Sequence, residues 1–144
     1  MILSQYRNKS GLLIDSARIL SAGDNPVAIP HCAYYSCYQL MMHIWLNVMG
    51  KTDGELKSLI DAAKGSRFDN GSHNVLLREI VKFVKADGTD RNRKQDSATI
   101  NNDMQEMKRI RVKDDYKDVI IDMPACRNSI RLAEETIPIL KKYM

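Results

Sequence analysis

Apolar residues recur at helical spacing along nearly the whole chain, and no window alternates as a strand would. Leu3, Tyr6, Leu13, Ala17 and Leu20 share one face and predict a first helix from about Leu3 to Leu20, with Gly11 weakening its middle. The run Ala22-Gly23-Asp24-Asn25-Pro26 ends it in a turn. The second predicted helix spans Pro30 to Gly50, because proline is tolerated in a first turn and glycine suits the residue after the end. Cys32, Tyr35, Gln39, Met42, Leu46 and Met49 form one stripe on it, and Tyr34, Tyr38, Met41, Trp45 and Val48 a second. A helix apolar on most of its circumference belongs at the centre of a fold.

Thr52 and Glu55 have capping-box spacing and open a short helix with Leu56, Leu59, Ile60 and Ala63 on one side, stopped by Gly65. After the loop 66–71, Ser72 is the expected cap of a helix through Lys85 that turns Val75, Leu76, Ile80, Phe83 and Val84 inward. No apolar residue occurs from Asp87 to Ser97 apart from glycine, so this segment reads as a polar loop. A penultimate helix is expected from about Ala98 to Lys113. Asp122 then caps a last helix with Cys126, Ile130, Ala133, Ile137 and Leu140 on one seam, and Pro138 implies a kink or an early stop there. The expected fold is all-α, an up-and-down bundle of five or six helices in a single domain spanning residues 1–144.

Composition narrows the picture only a little. The length of 144 residues suits one domain with a real core, and 22 Lys+Arg against 18 Asp+Glu give a net charge of +4. That balance permits a polyanionic partner without requiring one. Arg7, Lys9, Asp15 and Arg18 interrupt any signal-peptide-like segment, and the most apolar run, Ala33 to Met49, is too short and too polar to span a bilayer, so a soluble cytoplasmic protein is expected. The three cysteines, Cys32, Cys37 and Cys126, have no CxxC spacing. On a helix Cys32 and Cys37 point roughly 140° apart at about 100° per residue, so they read as small buried hydrophobes rather than metal ligands. No metal and no cofactor are expected.

One residue breaks the pattern. Ile100, Met104 and Met107 form an apolar stripe, and the next position on it is Arg111, a permanent cation. Asp115 follows at the ion-pair spacing of four, and Tyr116 comes next; Lys108 and Lys113 add positive charge nearby. The plain reading is a helix-end arginine with its stem buried and its head in water. The functional reading is a binding site of Arg111, Asp115, Tyr116, Lys108 and Lys113. A secondary basic loop, Arg91, Arg93 and Lys94, offers phosphate contacts, although short charge runs are usually solvated. His43 reads as a hydrogen-bonded or surface histidine on the second helix, His73 as a helix-start residue, and His31 has no assigned role. Tyr34, Tyr35 and Tyr38 are expected to point around the helix, mostly into the core.

Three segments resemble the HEPN family of small helical proteins. CAYYSCYQLMMHIWL resembles its tyrosine-rich second helix, SHNVLLREIVKF the helix that often opens with a histidine, and RVKDDY, Arg111 to Tyr116, the RxxADY signature of a bacterial branch. The resemblance implies about five helices, an antiparallel homodimer around the last long helices, and in many members a metal-independent ribonuclease whose arginine is followed after four to six residues by a histidine. Histidine there serves as acid and base, and arginine forks onto the phosphate. In this chain no histidine follows Arg111; Tyr116 stands in that region, and its phenol is a poor base at neutral pH.

The leading expectation is therefore a HEPN-like dimer that binds RNA or nucleotides, with a small nucleotidyltransferase as the implied partner in a toxin–antitoxin pair. One alternative is a non-catalytic interaction module in which Arg111 and Asp115 hold a dimer together. Another is a ribonuclease with a substitute base.

Overall fold

A computed structural model describes residues 5–64 and 71–144. Among these residues the chain is an all-α bundle with no strand, and six helices follow one another: α1 (Tyr6–Ala22), α2 (Ile29–His43), α3 (Asp53–Ala63), α4 (Ser72–Lys85), α5 (Arg91–Tyr116) and α6 (Met123–Lys141). The predicted start of the first helix at Leu3 and the stop at Gly65 lie outside the described residues. α2 is the central element, packed against α1, α4, α5 and α6. Cys37, Leu40 and Met41 on it have no exposed surface, as its all-round apolar pattern predicts.

The helix ends follow their local chemistry. Thr52 Oγ1 accepts the Glu55 backbone N–H at 3.0 Å and opens α3. Asp122 Oδ1 accepts the Ala125 N–H at 2.8 Å and opens α6. α2 runs on into a π-helical turn, Ile44–Val48. That turn closes with the Lys51 N–H on the Trp45 carbonyl at 3.0 Å, over Gly50 at φ +68°, a left-handed geometry that glycine adopts without a Cβ penalty.

Three expectations are corrected. Gly71, not Ser72, caps α4, and it contributes no side-chain bond. Pro138 does not stop α6, which runs to Lys141; a proline costs a helix one N–H, and Ala133, Thr136 and Leu140 on either side of it are buried in the core. The largest change is in α5. It starts at Arg91 rather than Ala98 and ends at Tyr116 rather than Lys113. Asp90 caps it by accepting the N–H groups of Asn92 at 2.9 Å and Arg93 at 3.2 Å. Residues 91–96 carry no apolar stripe, so periodicity is silent there while the cap still nucleates a helix.

The three cysteines are free and buried, as expected. Burial pushes the Cys37 thiol up to about 12 and the Cys126 thiol up to about 11, so neither forms a reactive thiolate at neutral pH. No described helix is long and apolar enough to cross a membrane.

Candidate functional site

The site forms where the first turns of α2, the start of α4 and the end of α5 meet. On α2, His31, Tyr34, Tyr35 and Tyr38 stand at i, i+3, i+4 and i+7, which is one helix face. The tyrosines are therefore not spread around the helix. Ring centroids lie 5.2 Å apart for Tyr34 and Tyr35, 5.5 Å for Tyr35 and Tyr38, and 4.6 Å for His31 and Tyr35. From α4, His73 stacks on Tyr38 at 4.6 Å and on Tyr34 at 5.5 Å. Its Nδ1 lies 2.8 Å from the Tyr34 hydroxyl. His73 thus does more than begin a helix.

Arg111 of α5 inserts into this cluster. Ile100, Met104 and Met107 are buried, and the stripe stays buried at Arg111, which is 5% exposed. Its guanidinium carbon is 5.0 Å from the centre of the Tyr34 ring, 5.4 Å from Tyr35 and 5.7 Å from Tyr116. The aromatic faces accept a cation where aliphatic side chains would not. Nη1 donates to Asp115 Oδ2 at 3.2 Å. The countercharge comes from the same helix, at the spacing of four that the sequence shows. Burial works against the charged form, but the hydrogen bond with Tyr116, the Tyr35 and Tyr34 phenols and the Asp115 carboxylate outweigh it and hold the pKa above its ordinary value. Nε is buried with no hydrogen-bond partner among the described residues.

The same Asp115 oxygen lies 3.1 Å from His31 Nδ1. An ionised carboxylate only accepts hydrogen bonds, so Nδ1 carries the proton and the other ring nitrogen, Nε2, keeps its lone pair in the neutral ring. The His31 side chain is 46% exposed and that of Asp115 22%. A pocket of about 460 Å³ opens beside them, lined by Val27, Ala28, His31, Asp114, Asp115, Val119 and Ile120. Asp114 accepts a hydrogen bond from the Ala28 backbone; burial first, then the charge of Asp115, push its carboxyl above the usual range. Tyr116 is 71% exposed. Burial pushes the phenol of Tyr34 well up, with Arg111 pulling the other way, so it stays neutral.

Lys113 and the secondary basic residues lie elsewhere. Lys113 lines a separate pocket of about 220 Å³ with Arg109, Ile110 and Asp122. Lys108 is half-buried one turn before Arg111. The basic segment Arg91, Arg93 and Lys94 is the first turn of α5 rather than a loop. Arg91 is twenty residues from Arg111, about 30 Å at 1.5 Å per residue. Arg93 is engaged within the fold: Nε donates to the Val84 carbonyl at 2.7 Å, Nη2 to the Phe83 carbonyl at 3.0 Å, and the guanidinium lies 5.1 Å from the Tyr143 ring centre. His43 is half-buried, and its Nδ1 has no hydrogen-bond partner among the described residues. Burial, then the nearby Arg7, lower its pKa.

Sequence reasoning missed His31 and His73. The i, i+3, i+4, i+7 spacing of His31, Tyr34, Tyr35 and Tyr38 was the available signal. Nothing local to Arg111 announces a histidine from a helix 80 residues earlier. The geometry defines the class: a helical bundle carrying a caged arginine with a carboxylate-oriented histidine. No family model, no curated protein and no solved structure matches the chain. No cluster of metal-ligating side chains occurs among the described residues.

Proposed function

We propose that the chain is a cytoplasmic HEPN-like protein that binds RNA or nucleotides at the surface formed by His31, Tyr35, Asp115 and Tyr116. It works as a homodimer and is the toxin-like half of a pair with a small nucleotidyltransferase. One observation carries the binding site: a single oxygen of Asp115 holds both His31, at 3.1 Å, and Arg111, at 3.2 Å. The arginine is a fixed positive charge beneath the surface, and the imidazole is aimed from the surface itself. Exposed Tyr116 and half-buried Tyr35 and Tyr38 give flat faces on which unpaired bases stack. The carboxylates of the adjoining pocket suit the hydrogen-bond donors of a ribose or a base edge, and His31 suits the phosphate. A 2′-hydroxyl is such a donor, which favours RNA over DNA.

A specific observation also favours catalysis. His31 lies 3.1 Å from the carboxylate that pairs with Arg111, which brings an imidazole beside the arginine although none follows it in the chain. With Nδ1–H held by Asp115, Nε2 can take the proton of a ribose 2′-hydroxyl. The freed oxygen attacks phosphorus, the P–O5′ bond breaks, and the imidazolium returns the proton to the departing 5′-oxygen. The products are a 2′,3′-cyclic phosphate and a 5′-hydroxyl.

Binding is tested by fluorescence anisotropy with a labelled single-stranded RNA of mixed sequence at low and moderate salt. Tyr116→Ala and His31→Gln should weaken it while the thermal midpoint holds. Absence of binding by the unaltered protein at low salt overturns the reading and leaves Arg111 and Asp115 as scaffolding of an interaction module. Cleavage is tested with the same RNA in EDTA. A cyclic phosphate end that forms with the unaltered protein and not with His31→Gln supports the second reading, and no cleavage removes it.

A further inference from the structure

Away from α5's last turn, α1 and α6 enclose a groove that the RNA site does not use. Two adjoining hollows of about 660 Å³ and 410 Å³ share Gly11, Ile14, Asp15, Ile137 and Lys141. Lys141 is eighteen residues along α6 from Met123, about 27 Å from the end of α6 that adjoins α5's last turn.

The charges along the groove are divided unevenly. At one end Arg18 takes both acids: its Nη1 lies 3.2 Å from Asp15 and its Nε 3.0 Å from Glu134. At the other end Arg7 and Lys141 line the larger hollow from α1 and α6. Neither side chain has an ion-pair or hydrogen-bond partner among the described residues. Asp15 is eight residues along α1 from Arg7, about 12 Å, which exceeds the screening length of about 8 Å at physiological salt. This end of the hollow therefore carries two positive charges that the fold leaves unbalanced.

Ser10 is the second observation. A helix serine commonly donates to the carbonyl four residues back, as Ser16 does to Leu12 at 2.9 Å and Ser58 to Gly54 at 3.0 Å. Ser10 is 3% exposed, lines the same hollow as Arg7 and Lys141, and has no hydrogen-bond partner among the described residues. A buried hydroxyl left unpaired is costly, and an acceptor lodged in the hollow would satisfy it. The floor beside it is apolar, made by Ile14 and Ile137, and it is open: a Cβ built on Gly11 meets nothing within 4 Å.

We propose that this hollow binds a small phosphate monoester, with Arg7 and Lys141 on the phosphate, Ser10 donating its hydroxyl to it, and an apolar body resting on Ile14 and Ile137. The charge selects the class. A monoester carries about two negative charges at neutral pH and matches two cations, whereas a carboxylate or an internal RNA phosphate carries one. The site stands apart from the RNA reading and does not depend on it.

Isothermal titration calorimetry of the full chain with phenyl phosphate at low salt tests it, and saturable one-to-one binding is expected. Methyl phenyl phosphate keeps the ring but has one charge, and it should bind at least about tenfold more weakly. Arg7→Gln and Lys141→Gln should each weaken phenyl phosphate about tenfold, and Ser10→Ala about threefold. Gly11→Leu should abolish binding by filling the hollow, while the thermal midpoint holds or rises because leucine is the better helix former. Lys9, which lies over the Tyr6 ring at 5.6 Å and does not line the hollow, is the control, and Lys9→Gln should leave the affinity unchanged. No saturable binding overturns the proposal. So does binding that survives Gly11→Leu or Arg7→Gln, which places the ligand elsewhere. Equal affinity for the diester overturns the monoester class, and a loss with Lys9→Gln equal to that with Arg7→Gln reduces the effect to unspecific attraction and overturns the site. RNA binding is read in a separate titration, so its failure leaves this result standing.

Discussion

Asp115 and His31 are 84 positions apart in the chain and 3.1 Å apart in space. The carboxylate oxygen that joins them also lies 3.2 Å from Arg111, so one acid fixes a cation and an imidazole together. The i,i+4 pair on α5 is local chemistry; the histidine reaches it only because α2 packs across the end of α5.

Arg111 should be sensitive to shape as well as to charge. Arg111→Lys keeps a cation but loses the planar group that lies among Tyr34, Tyr35 and Tyr116, and with it the Nη1 hydrogen bond to Asp115. A loss of about 1–2 kcal/mol in urea unfolding is expected, in line with a desolvated cation–π contact. Arg111→Met should cost more than Arg111→Lys, because it also leaves the Asp115 carboxylate without its guanidinium. Equal stability of all three proteins would show that the cage contributes nothing.

Tyr116 separates binding from folding. It is 71% exposed, so Tyr116→Ala should move the melting midpoint little. Loss of one stacked base at about 1–3 kcal/mol predicts RNA binding weaker by roughly tenfold or more. Anisotropy titration beside a thermal melt reads both quantities on one preparation.

Arg93 predicts the opposite pattern. Its guanidinium closes the end of α4 on the Val84 and Phe83 carbonyls. Arg93→Met should cost about 1–3 kcal/mol through carbonyls left without donors, with RNA affinity unchanged. A drop in affinity without a drop in stability would instead restore the start of α5 as a phosphate surface.

Asp103 sets a pH dependence. It is buried on α5 and accepts the Thr136 hydroxyl at 3.0 Å. Burial raises its pKa above the ordinary 3.8, with the Thr136 bond pulling the other way. The folded chain therefore holds this proton more tightly than the unfolded chain does. The contribution favours folding below the ordinary value and is lost as pH rises through the raised one. Asp103→Asn keeps an acceptor for Thr136 and removes the buried charge. Its urea midpoint should exceed that of the unaltered protein at pH 7, and the gap should close in acid near pH 3.8. A constant gap across this range would assign the pKa shift to some other group.

Much of the fold was legible in the residues. The all-round apolar pattern of residues 30–49 placed α2 at the centre, and Thr52 and Asp122 announced helix starts, because such signals act within one turn of backbone. The stripe through Ile100, Met104 and Met107 also gave the direction of Arg111. The first turn of α5 was hidden, since a polar solvated turn has no apolar period, and Asp90 was its one local mark.

What the sequence determined by itself was the helical class, the central helix and the anomaly of a cation on a core stripe, all of them properties of spacing along one chain segment. The tertiary structure decided that the cation is caged by tyrosines from α2, that His31 shares its carboxylate, that His73 closes the cluster, and that Arg93 serves the fold. Those pairings join residues far apart in the chain. Helical periodicity fixes which way a side chain points from its own axis, and only the packing of one helix across another fixes what it meets.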